Sequence, residues 1–260
     1  MTDLDVPPVQ PPQSIGLFAT QEGIRAVESP VRVKILSLLR ERELSFHEVV
    51  VLTGKAKSTV SAHLRALLQE GVIGEKPDLA DSRRKKFYIK SRFLGDITAG
   101  ARIEDEEEAR LIEAFVGESD PRLFYKLMFR SIRVSLMSQG INIDPILREA
   151  GYRIGKGVYA ATKDPDVNVM VRNVMNFWER HNLGHIVVEN YSPVTLVVYD
   201  CFECGELPHT GKPACAFDAG ILEAVFSGFY KTDHKVTELR CYAMGDDQCK
   251  FVIRPVDTVN

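Results

Sequence analysis

PACAFDAGILEAVFSGFY (213–230), followed closely by HKVTELRCYAMGDDQCKFVI (234–253), decides how the back half of this chain folds. The first run is apolar nearly throughout and predicts a buried helix. The second alternates, turns at Gly245-Asp246-Asp247 and resumes as CKFVI, the pattern of a β-hairpin. Glu238 and Cys241 are three apart before the turn, and Cys249 opens the strand after it. The hairpin brings Cys241 and Cys249 together, and Cys215 reaches them from the start of the helix. Thiolates and a carboxylate gathered on pre-formed backbone suit a closed site for a soft divalent ion.

Upstream, PILREAGYRIGKGVYAA (145–161) and VNVMVRNVMNFWERHNLG (167–184) predict two helices, with Gly151, Gly155 and Gly157 permitting close approach in the first. HIVVENYS (185–192) and VTLVVYDCF (194–202) flank Pro193 as a hairpin. Helices over a mainly antiparallel sheet give an α+β domain over 144–256.

The order Cys, Glu-x-x-Cys, then Cys behind a Gly-Asp turn resembles the 4-vinyl reductase domain, a small-molecule-sensing domain related to the sensory domains of phenol-responsive bacterial activators. The resemblance implies a structural zinc held by Cys215, Glu238, Cys241 and Cys249. It covers roughly 145–255 and is sharpest at the cysteines.

Cys201 and Cys204 form C-F-E-C at a strand end. Three readings stay open: a thiol pair that oxidises and alters the nearby loop, a rearranged site in which one of them displaces Glu238, or two inert thiols.

The front half reads differently. A polar, proline-rich tail (1–16) leads into SIGLFATQEGIRAV (14–27), which predicts a helix, and Ser29-Pro30 opens a second, with serine accepting a cap bond and proline in the first turn. Val31, Ile35, Leu38 and Leu39 share one face of it. HEVVVLTG (47–54) is a brief helix stopped by Gly54, and KAKSTVSAHLRALLQEG (55–71) a fourth, with Val60, Leu64, Leu67 and Leu68 inward and Gly71 as terminator. VIGEKPDLADSRRKKFYIK (72–90) gives two strands around a basic turn. Three helices and a hairpin are the winged helix-turn-helix order, expected over 17–95, and 24–90 resembles the ArsR-type regulators.

On the fourth helix Ser58, Thr59, Ala62 and Arg65 lie opposite the apolar stripe, suited to a major groove, and Lys55 and Lys57 to phosphates. The turn adds Arg83, Arg84, Lys85 and Lys86. Residues 55–92 hold ten Lys/Arg against four acids, although the chain as a whole carries −3. The excess marks the front half as a polyanion binder.

Residues 96–143 are expected to be a helical linker. The stretch 91–115 reads as a connection that turns helical. Leu123, Leu127, Ile132, Leu136 and Met137 would give the helix at 121–140 a sticky side for a two-fold contact, since such regulators read paired half-sites.

With 260 residues, 45% of them hydrophobic, the chain has room for two domains and has no apolar run near the roughly 20 residues of a membrane span. The first residues do not read as a secretory signal, and five cysteines in an unexported, cytoplasmic protein favour metal or redox chemistry over disulfides. No dinucleotide fingerprint or catalytic triad stands out, which argues against an enzyme.

The expectation is a homodimeric transcription regulator that binds a double-stranded operator and senses redox state through its cysteine-rich zinc domain. In its domain order it resembles the redox-responsive regulators of methanogenic archaea. The rival expectation is a receptor for an apolar or aromatic ligand lined by Phe177, Trp178, Val198, Tyr199, Phe226 and Tyr230, with the zinc purely structural. Neither involves a membrane.

Overall fold

The computed structural model describes residues 14–78, 84–98, 108–117 and 120–256. They fall into two compact units, the first within residues 1–101 together with 139–142 and the second made of the rest. Both are mixed α and β with antiparallel sheets.

The first unit opens with β1 (Ser14–Thr20) and β2 (Gly23–Val27), then α1 (Pro30–Glu41), β3 (Leu44–Ser45), α2 (Phe46–Thr53), α3 (Lys57–Gln69), β4 (Ile73–Pro77), β5 (Lys85–Ile89) and β6 (Arg92–Thr98). Here the helix expected over 14–27 is corrected: the stretch is a hairpin. Gly23 takes a positive φ of 121° at the turn, and the Thr20 hydroxyl donates to the Gly23 carbonyl at 2.9 Å. The strand forms because β1 pairs along β6, more than seventy residues away, and Phe18 then packs on Phe93 with ring centroids 5.1 Å apart. The connection expected at 91–115 therefore begins as that strand.

The three helices pack around Ile35, Leu36, Leu39, Val49, Val60, Leu64 and Leu67, all buried. This matches the helical spacing of the sequence. Ser29 makes no side-chain cap bond, contrary to expectation, and Pro30 alone sets the start of α1. The capping box belongs to α2: the Ser45 hydroxyl accepts from Glu48 N, and the Glu48 carboxylate accepts from Ser45 N. Gly54 ends α2 in the left-handed region, and Gly71, at φ 69°, closes α3 through bonds from its own N–H to Leu68 O and from Val72 N–H to Leu67 O. Strands β3, β5 and β4 form the wing sheet.

The second unit begins with α4 (Glu108–Gly117) and α5 (Pro121–Ser138). The chain then passes through β7 (Ile141–Asn142), which pairs with β6 in the first unit's sheet, before α6 (Asp144–Thr162), α7 (Val167–Arg180), β8 (His185–Tyr191), β9 (Val194–Tyr199), α8 (Ala216–Tyr230), β10 (His234–Arg240) and β11 (Cys249–Pro255). The sheet order is β10-β11-β9-β8, antiparallel throughout. Helix α8 is apolar on every side and is enclosed accordingly, with Ile221, Leu222, Val225 and Phe226 at most 2% exposed. It crosses α6 at backbone contact. A Cβ on Gly151 would stand 2.0 Å from Phe217 O, and one on Gly220 2.1 Å from Arg148 O. Gly155 is similarly tight, whereas Gly157 faces open space. Among the described residues no helix is long and apolar enough to cross a membrane.

Candidate metal centre and nucleic-acid interface

The fold delivers five sulfurs to one place. Strand β9 ends just before Cys201, and the turns that follow hold Cys204. Cys215 caps α8, Cys241 follows β10 at the start of a short 3-10 turn, and Cys249 opens β11 opposite Val198. The turn works as the sequence anticipates: Gly245 takes φ 96°, and Asp246 folds back so that its carboxylate accepts from Cys241 N at 3.0 Å.

All five thiols are buried and free. Cys215 Sγ lies 3.6 Å from Cys201 Sγ, 3.6 Å from Cys249 Sγ and 3.9 Å from Cys241 Sγ, and Cys204 Sγ lies 3.2 Å from Cys249 Sγ. These separations are far beyond a disulfide bond. They bracket the edge of about 3.8 Å expected of a tetrahedron with metal–sulfur bonds of about 2.3 Å. Two quartets are close enough to wrap an ion: Cys215, Glu238, Cys241 and Cys249, and Cys201, Cys204, Cys215 and Cys249.

Glu238 is poised like a ligand. Its Oε2 accepts from Cys215 N at 3.0 Å, and its Oε1 is buried with no hydrogen-bond partner. An orphaned buried carboxylate oxygen is costly, and a cation beside it removes the cost. Burial, with Cys241 adjacent, pushes the Glu238 carboxyl up to about 9. Burial also raises the Cys215 thiol, while the neighbouring thiols, Cys204 first, hold Cys241 well below the ordinary thiol range. The donor set fits a zinc-class ion.

The C-x-x-C thiols do not stand apart as an accessible pair. Cys201 and Cys204 are 1% and 0% exposed, and each contacts a sulfur of the zinc-like quartet. Sequence reading missed the buried groups around them. Glu203, between the two cysteines, accepts from Phe217 N and Asp218 N at 3.0 and 2.9 Å, and from Arg133 of α5 at 3.2 Å. Burial lifts the Glu203 carboxyl to about 8 against the pull of Arg133, and burial likewise raises Asp218. Arg130 Nε donates to Glu206 O at 2.6 Å, and Lys126 reaches the Glu206 carboxylate at 2.8 Å. Three basic residues of α5 thus clasp the 203–206 loop. The sequence offered a signal, an acid inside C-F-E-C and Arg at i,i+3 on a helix otherwise read as apolar.

The aromatic set expected to line a ligand pocket is spread between core and surface. Trp178, Phe226 and Val198 are core residues at no more than 1% exposure, and Tyr199 and Tyr230 are exposed at the surface. Phe177 is half-buried against His181, its ring centroid 4.2 Å away. Apolar character is shared by core and pocket and does not separate the two. A cleft lies elsewhere, walled by Tyr152, Lys156 and Tyr159 of α6 and by Ser227, Gly228 and Lys231.

On α5, Leu123, Leu127, Leu136 and Met137 are half-buried, while Ile132 is exposed, as are Phe124, Tyr125 and Met128.

On the first unit, Lys57, Ser58, Ala62 and Arg65 are exposed and Thr59 is half-exposed, on the face of α3 opposite Val60, Leu64 and Leu67, and Lys55 is exposed just before the helix. His63 sits half-buried beside them. In the wing Lys85 pairs with Glu75, and Lys86 lies 3.7 Å from Asp78. Arg84 is exposed at the start of β5, and Arg83 lies outside the described residues.

The sequence profile of the arsR family of bacterial regulatory proteins matches residues 29–74, and that of the 4-vinyl reductase domain matches 194–255. An HTH-type transcriptional repressor, SmtB, of Mycobacterium tuberculosis is 40% identical over 103 residues, spanning 39% of this chain and 73% of the repressor. An uncharacterized protein of Methanocaldococcus jannaschii is 31% identical over 103 residues, which are 38% of this chain and 64%, just under two thirds, of that protein. Among solved structures, a vinyl-4-reductase family protein from the same archaeon is 18% identical and covers 58% of this chain and 88% of its own, with a TM-score of 0.39.

Proposed function

From a chain that belongs to the arsR family of regulatory proteins through its front part, and that carries a 4-vinyl reductase domain behind it, we propose a transcription regulator, not an enzyme, in which the cysteine centre sets the grip on an operator. The first unit binds duplex DNA with the exposed face of α3 in a major groove and the wing on the backbone. Two copies meet through the exposed apolar residues of α5 and read paired half-sites.

A zinc-class ion, when bound, would tie Cys215, Glu238, Cys241 and Cys249 together and fix where α8 begins. The protein's own groups do the rest. Glu203 holds the first N–H groups of α8 and, through Arg133, fixes α5 against the cysteine loop. The observation that carries this reading is the clasp of Lys126, Arg130 and Arg133 on the 203–206 loop, which carries Cys204 beside the zinc-like quartet. Oxidation joins Cys204 to Cys249, a member of the quartet whose sulfur lies 3.2 Å away, in a disulfide. Two electrons and two protons pass to an oxidant such as hydrogen peroxide, which leaves as water. The quartet then loses a ligand, the loop moves, and the clasp on α5 changes with it.

The test compares wild type with Cys201→Ser/Cys204→Ser for binding to a duplex enriched from a random-sequence pool, before and after peroxide. The redox reading expects the variant to keep DNA binding and lose most of the oxidant response. An undiminished response in the variant removes these two thiols from the switch. The ligand-receptor reading has less support, because Trp178 and Phe226 are fully buried in the core while Tyr199 and Tyr230 lie exposed at the surface.

A further inference from the structure

We propose that the cysteine cluster holds two divalent metal ions, bridged by Cys215 and Cys249. The inference rests on the reading of these cysteines as a metal centre and goes beyond the single closed site.

One tetrahedral ion uses four ligands. The cluster offers six: five thiols and Glu238. They divide into two overlapping quartets that share only Cys215 and Cys249. Those two sulfurs stand 3.6 Å apart, the length of a common edge. Cys241 and Glu238 complete one quartet on that edge, and Cys201 and Cys204 complete the other. With metal–sulfur bonds of about 2.3 Å on that edge, the ions sit about 3 Å from each other.

The surroundings favour a second cation. If one ion occupies the Glu238 side, Cys201 and Cys204 remain buried against bridging thiolates. Cys201 Sγ also lies 3.5 Å from the buried carboxylate of Asp218, with Glu203 close behind. Of the basic residues that clasp this loop, Arg133 is engaged by Glu203, Asp144 and the Ala214 carbonyl, and Arg130 and Lys126 by Glu206. Buried sulfurs gathered in this way, with a carboxylate beside them, suit a soft divalent ion. A second ion joins them into a closed shell, and each ligating thiol releases its proton on binding.

The two quartets are held asymmetrically. Glu238 and Cys241 sit on β10 and the turn after it, fixed by the sheet and by Asp246. Cys201 and Cys204 sit on the loop that α5 clasps. The second ion therefore belongs to the signal path, the first to the frame.

The full-length chain, purified anaerobically and loaded with zinc alone, tests this through native mass spectrometry and zinc-edge X-ray absorption. Two zinc ions per chain, with zinc–zinc scattering at about 3 Å, are expected. Cys201→Ser/Cys204→Ser should hold one and lose the scattering, and so should Glu238→Gln/Cys241→Ser. One zinc per wild-type chain without metal–metal scattering overturns the inference while leaving a single metal centre intact. No zinc at all overturns both. Should either variant fail to fold by circular dichroism, the wild-type count and scattering decide alone.

Discussion

Arg133 of α5 and Glu203 of the cysteine loop meet at 3.2 Å with their side chains 4% and 3% exposed. Such a pair is a poor source of net stability, yet breaking one side of it leaves a buried charge alone. Arg133→Met should destabilise the second unit by about 3–5 kcal/mol in denaturant titration. Adding Glu203→Gln should recover part of that loss. Full additivity of the two changes would mean that they do not act as a pair.

Metal removal should act on one unit. A chelator strong enough to strip the centre removes folding energy from the second unit, where the ligands are gathered. Calorimetry should show its transition falling or vanishing while the transition of the winged-helix unit stays in place. Equal loss in both transitions would contradict a centre local to the 4-vinyl reductase domain.

The α3 face and the wing should differ in salt dependence. Among the described residues Lys57 has no ion pair, whereas Lys85 is paired with Glu75. Lys57→Ala should lower the slope of log affinity against log salt by about 1, and Lys85→Ala by less. Arg65→Ala should cost about 1–3 kcal/mol on the preferred duplex and relax preference at one position. Fluorescence anisotropy over a salt series measures all three.

The Ser45–Glu48 capping box gives the winged helix an acid limit. The Ser45 N–H, with Arg42 assisting, holds the Glu48 carboxyl down at about 2, below its ordinary value of 4.5. A depressed folded value stabilises above the unfolded one, so this contribution is complete above about pH 4.5 and lost as pH falls towards about 2. Glu48→Gln should flatten the stability profile in that window. Ser45→Ala should cost about 1 kcal/mol near neutral pH.

The α6–α8 crossing makes a paired prediction. Gly151→Ala drives a methyl into Phe217 O and should cost about 1–3 kcal/mol or more. Gly157→Ala meets nothing within 4 Å and should add about 0.5–1 kcal/mol. Thermal melts of the two variants separate close packing from mere helix propensity.

Local pattern carried much of this fold into view. The apolar stripes of α1 and α3, the glycine stops at Gly54 and Gly71, and the turn before Cys249 are written in neighbouring residues. The strand at 14–20 was not, because its partner lies at 92–98 and a stretch such as GLFAT suits either state. At the centre, the spacing of Cys215, Glu238, Cys241 and Cys249 was legible as a resemblance, since a hairpin and a helix start bring them together in order. The approach of Cys201 to Cys215 and of Cys204 to Cys249 was not, because it depends on how the 200–214 loop folds back over the sheet. Arg133 and Glu203 were hidden for a similar reason: charges at such spacing usually lie in water, and only the tertiary fold buries them.

The central claim is that the state of these thiols governs how the winged helix holds DNA. The direct measurement is duplex affinity on one sample, reduced and then oxidised with peroxide, with zinc and free thiols counted at each point. The account predicts a change of about tenfold or more in affinity that tracks loss of free thiols and release of metal. Affinity that stays constant while thiols oxidise and metal departs would contradict it.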